Sequence, residues 1–208
     1  EVARVELREL RTHPGLYLFV PMILLQTLSS VVSVGAFDTG LLHTPGLLAA
    51  QAMNTLTLLI CLLLLFYTVE SLQRERGTGF GSIYYATPLH TGSLLLGKAL
   101  ANTVVALAVL LAALAGDAIL LAVQHKVPFR LEPFLLCWGL LLTPTFLMWT
   151  AFVMAVFVAT RSRYATYALG IGAMALTGFF QMRGKMNWSF NWDLWGATRW
   201  SDISVFEV

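Results

Sequence analysis

Charged side chains are scarce in this 208-residue chain: 13 Lys and Arg against 11 Asp and Glu, or 12% of the residues. Soluble domains carry about 25%. A water-soluble domain of this length could not cover its surface with so few. Hydrophobic residues make up 58%, the mean hydropathy is +0.75, and the apolar residues gather in runs long enough to cross a hydrocarbon core. The chain reads as an integral membrane protein of helical type.

Other absences exclude whole classes of chemistry. Only two cysteines occur, Cys61 and Cys137, both inside apolar runs, where a thiol acts as a small buried hydrophobe rather than a disulfide or metal ligand. The four histidines, His13, His43, His90 and His125, lie in loops or at interfaces, so they are badly placed to face one another across a haem. No His-Glu-x-x-His pair or cysteine pair at metal spacing is present, and no metal or cofactor is expected. Asp117 is the one carboxylate well inside an apolar run, so an aspartyl dyad has no second member. Gly77-Thr78-Gly79-Phe80-Gly81 lacks the following Gly-Lys-Ser/Thr of a phosphate loop and follows a charged connector rather than a strand. It reads as a turn. No segment is long enough for a soluble ATPase or peptidase domain, and neither enzymatic activity nor a nucleic-acid partner is expected.

The expected fold is all-α, with about five membrane helices and an interface helix in front. Residues 1–15 set Val2, Val5, Leu7 and Leu10 among charges, as an amphipathic helix at a membrane surface would. Spans are expected over Leu16–Phe37, Leu47–Val69, Ala99–Val123, Leu135–Thr160 and Tyr164–Phe180, so that 16–180 form the membrane domain. Pro133 stands at the mouth of the fourth, where a first helical turn tolerates it. Arg161-Ser162-Arg163 makes a tight basic turn, and Gly170, Gly172, Ala173, Ala175 and Gly178 suit close helix approach in the fifth span. Residues 181–208 form a Trp-rich tail that suits an interfacial belt. Glu1 in place of Met and an ending without a stop signal suggest a piece of a longer polypeptide.

Sidedness follows the Lys and Arg count. With the N-terminus in the cytoplasm, the inner segments hold eight (Arg4, Arg8, Arg11; Arg74, Arg76, Lys98; Arg161, Arg163). The outer segments then hold five (Lys126, Arg130; Arg183, Lys185, Arg199), which favours that orientation. Within the spans, Gln26, Gln51 and Asn54 are candidates for interhelical hydrogen bonds or a transport pathway. Asp117 is a candidate for either role, although the more ordinary expectation is a position near the outer interface, hydrated or bonded to a neighbouring helix.

Residues 70–98 are the most informative stretch. They open with Glu70 and Arg74-Glu75-Arg76-Gly77-Thr78, pass through Ala86-Thr87-Pro88, and close on Gly97-Lys98. Read physically, this is a short amphipathic element at the cytoplasmic surface, fit to pass force from a soluble partner to the helices. The same residues, in this order, resemble the segment between the second and third membrane helices of permeases of the type-2 ABC exporter family (ABC-2). The resemblance implies a six-helix module, of which about five are present here, in the cell's inner (plasma) membrane. It also implies a separate ATPase subunit acting on Glu70, Arg74, Glu75, Arg76, Gly77, Thr78, Thr87, Pro88, Gly97 and Lys98, and a second permease module completing a dimer. Substrate would then move through the membrane helices while this chain catalyses no covalent step. The tail, with Trp188, Trp192, Trp195 and Trp200, resembles a subset of permeases fused to a zinc aminopeptidase-like domain. The alternative reading is a membrane anchor or assembly module for an associated enzyme, without transport of its own.

Overall fold

A computed structural model describes residues 20–25, 44–77, 91–124 and 128–184. They form helices: a short stretch at 20–25, then α1 (Pro45–Gly77), α2 (Thr91–Gln124), α3 (Glu132–Thr160) and α4 (Arg163–Met182). Three of these, α1, α2 and α3, are long and apolar enough to cross a membrane. The protein is an all-α, polytopic membrane protein. The interface helix expected at 1–15, most of the first expected span and the tail from 185 lie outside the described residues, whereas the fifth expected span falls on α4, a helix that is not among those three.

The chain enters α1 through Thr44, whose Oγ1 accepts a hydrogen bond from the Leu47 amide at 3.3 Å, with Pro45 in the first turn. The helix then runs without a break to Gly77. The sequence reading ended the span near Val69 and began a separate surface element at Glu70; the backbone instead carries Glu70–Gly77 as the continuation of the same helix. Hydropathy falls there, but Glu, Leu, Gln and Arg are good helix formers, so the helix outlasts the apolar run. At 33 and 34 residues, α1 and α2 extend about 50 Å each, well beyond a hydrocarbon core of about 30 Å. Lys98, read as the end of a polar connector, lies inside α2 one turn beyond Leu94.

α1 is the central helix. It packs against α2, α3 and α4, and 67% of its apolar window is buried, against 39% and 44% for α2 and α3. Apolar residues surround it on nearly every side, and Met53, Leu56, Ile60, Leu64 and Leu65 are all fully buried. Two tryptophans of α3 fasten to its backbone. The Trp138 indole N–H donates to the Ala49 carbonyl at 3.0 Å, and Trp149 donates to the Cys61 carbonyl at 2.8 Å. These bonds run in the same order along both helices, so α3 is parallel to α1.

Within α3, Leu135–Leu142 is wound as a π-helix, and the Thr143 amide bonds back to the Trp138 carbonyl. Pro144 accounts for the location. Its ring lacks an N–H and would collide with the carbonyl four residues earlier in a continuous α-helix. Widening the preceding turns places Pro144 in the opening turn of the α-helical segment Thr143–Thr160, where no N–H is needed. The turn from α3 to α4 is as short as expected. Arg161 takes the left-handed conformation (φ 52°) as the cap of α3, Ser162 is extended, and Thr166 donates to the Ser162 carbonyl at 2.9 Å.

Candidate functional site

The C-terminal part of α1 is bound on two sides by polar side chains. From α2, the Lys98 Nζ donates to the Ser71 hydroxyl at 2.6 Å and to the Ser71 carbonyl at 3.4 Å. One turn further along, the Asn102 amide donates to the Thr68 hydroxyl at 2.8 Å. From α4, the Tyr167 hydroxyl donates to the Glu70 carboxylate at 3.2 Å, while its ring lies 5.1 Å from that of Phe66. Lys98, Asn102, Thr68 and Ser71 are all buried, and Glu70 is half-buried. Burying a lysine this deeply in an apolar bundle is costly unless its donors are met, and Ser71 takes two of the three with a hydroxyl and a carbonyl. The result is a polar seam joining three helices at one end of the bundle.

Of the ten residues assigned to coupling, the structure brings Glu70 and Lys98 into this seam, through Tyr167 and Ser71 respectively. Arg74 lies on the exposed side of α1, Glu75, Arg76 and Gly77 complete its last turns, and Gly97 is buried in α2. Thr78, Thr87 and Pro88 lie outside the described residues, as does Gln26. Ser71, Thr68, Asn102 and Tyr167 were not singled out from the sequence. Their signal was present: Lys98 and Asn102 are spaced i, i+4, and Thr68 and Ser71 i, i+3, which puts each pair on one helical face.

The remaining polar candidates separate. Gln51 and Asn54 point away from the bundle on the exposed side of α1 and make no contribution to its interior. Asp117 does the opposite. It is 1% exposed, and its Oδ2 is buried with no hydrogen-bond partner among the described residues. Also among the described residues, no three His, Cys, Asp or Glu side chains gather as a metal site.

The glycines of α4 also divide. A Cβ on Gly170 would lie 2.7 Å from the Leu65 Cδ1, so this glycine is where α4 presses onto α1. Gly172 and Gly178 have nothing within 4 Å and take no part in packing within the bundle.

No protein-family model, curated protein or solved structure matches the chain. The architecture itself is plain: three apolar spanning helices of which α1 is central, a polar seam at the end of α1 and the start of α2, and one buried carboxyl towards the other end.

Proposed function

We propose that this chain is the membrane-spanning subunit of an ATP-driven exporter, of the type-2 ABC kind, worked by a separate ATPase that acts on residues 70–98. The observation that carries the reading is the ordered set Glu70, Arg74-Glu75, Gly77-Thr78, Ala86-Thr87-Pro88 and Gly97-Lys98, which runs from the end of one spanning helix to the start of the next. The polar seam supports it mechanically. A push on the segment between α1 and α2 would reach α1 and α2 through Lys98–Ser71 and Asn102–Thr68, and α4 through Glu70–Tyr167. The chain itself contributes no catalytic step. Its N-terminus lies in the cytoplasm, the ATPase lies beneath residues 70–98, and a second permease module completes the pathway.

The test is purification of the full-length protein from its native membrane into lipid nanodiscs, with ATP hydrolysis measured on the complex. A co-purifying ATPase whose stimulation is lost in Glu75→Lys, with the membrane subunit still folded, supports the exporter. The reversal replaces a favourable contact with a like-charge one against a basic or mixed pocket. Unchanged association and stimulation in the variant would remove Glu75 from the coupling surface. A lone bundle carrying no ATPase would leave the membrane anchor as the better account.

A further inference from the structure

Coupling through residues 70–98 makes no use of Asp117, and its surroundings are unusual. The residue follows Gly116 inside the apolar window Leu95–Ala122 of α2. The Lys98–Ser71 and Asn102–Thr68 bonds show that α1 and α2 are antiparallel. Counting equal numbers of residues along both helices from Asn102–Thr68 brings Asp117 level with Met53, in the N-terminal part of α1. The bonds from Trp138 to Ala49 and from Trp149 to Cys61 bring the neighbourhood of Leu142 and Thr145 on α3 to the same level.

α1 and α3 are the elements packed most extensively against α2. From Pro45 to Ile60, α1 carries no ionisable side chain, and neither does Thr143–Thr160 of α3. Cys61 and Cys137 are buried thiols at the edges of this level. On the described helices, Tyr67, Glu70 and Arg74 of α1 and Lys98 of α2 lie towards the opposite end, while Arg130 and Glu132 are exposed at the entry to α3. Hydroxyls do not fill the gap. Thr57 donates its proton to the Met53 carbonyl at 2.8 Å, and Thr145 donates to the Leu141 carbonyl at 3.1 Å. The hydroxyls at this level thus donate within their own helices, and the amides of Gln51 and Asn54 lie on the exposed side of α1.

A carboxylate charge in such a place is unfavourable unless something positive accompanies it. A side chain or organic cation cannot reach a group that is 1% exposed without parting the helices. We propose that Asp117 is a small-cation site, its carboxyl holding a proton or an alkali-metal ion in the closed bundle. Exchange of that cation would tie the packing of α2 against α1 and α3 to the ionic content of the medium. The proposal stands on the burial and the orphaned oxygen, independently of whether an ATPase drives the protein.

The test uses the full-length protein in lipid nanodiscs and dicyclohexylcarbodiimide, an apolar reagent selective for buried carboxylic acids. The acid's proton passes to a carbodiimide nitrogen while its oxygen bonds to the central carbon; acyl migration then leaves an N-acylurea, with no atom lost. Peptide mapping by mass spectrometry should find the adduct on Asp117, and Asp117→Asn should abolish it. Labelling that sodium or potassium suppresses, relative to a bulky organic cation at equal ionic strength, assigns the site to an alkali ion. Labelling indifferent to those salts assigns it to a proton. Two results overturn the proposal: no adduct on Asp117 at any pH in alkali-free buffer, or equally rapid modification by a water-soluble, membrane-impermeant carbodiimide. Both are read on the wild-type protein, so neither depends on a variant folding.

Discussion

Replacing Gly170 with alanine tests the tightest contact in the bundle. The added methyl would stand 2.7 Å from the Leu65 Cδ1, 3.0 Å from Cδ2 and 3.4 Å from Cγ. Comfortable carbon–carbon contact is about 3.5–4.0 Å. Leu65 is fully buried, so its side chain cannot swing into open space and α4 must move outwards or Leu65 must leave its rotamer. Overpacking of this kind costs about 1–3 kcal/mol. Alanine is also the better helix former by about 0.5–1 kcal/mol, so Gly170→Ala should come out destabilised by a net of up to roughly 2.5 kcal/mol. Gly172→Ala supplies the control. Nothing lies within 4 Å of its Cβ, so it should gain stability by roughly 0.5–1 kcal/mol through helix propensity alone. Unfolding in mixed micelles measures both, and a double-mutant cycle with Leu65→Ala should return a coupling of about 0.5–3 kcal/mol. Equal stabilities for the two alanine variants, or strict additivity with Leu65→Ala, would refute the close approach of α4 to α1.

Two further substitutions probe the frame around that contact. Trp149→Phe removes the indole donor to the Cys61 carbonyl and leaves a void beside α1, and it should cost about 1–3 kcal/mol in the same unfolding assay. Arg161→Gly relieves a non-glycine residue from the left-handed conformation, which costs roughly 1–2 kcal/mol, and should raise the unfolding midpoint despite the lost positive charge.

The sequence carried the membrane class and the main apolar helices because hydropathy is a cumulative signal, insensitive to any one residue. It also carried the turn at Arg161-Ser162-Arg163, where two charges interrupt an otherwise apolar stretch. It misplaced the end of α1, because hydropathy drops at Glu70 while helix propensity does not, and only the second governs the backbone. The π-helix ahead of Pro144 was not legible, since a proline can kink a helix, end it or shift the register upstream, and local packing decides among them. That Asp117 is buried within the bundle depends on which face of α2 meets α1 and α3, which an almost uniformly apolar helix does not announce. The tryptophan bonds to Ala49 and Cys61 join residues nearly ninety positions apart and leave no local trace.

The short turn at Arg161 and Ser162 bears on what holds α4 in place. α4 is not among the three helices apolar enough to cross a membrane unaided, yet Tyr167 and Gly170 lie against Glu70, Phe66 and Leu65 of α1. With only two residues between them, α3 and α4 form a hairpin in which a less apolar arm is tied directly to an apolar one. α4 thus owes its place to α1 and α3 rather than to its own apolarity.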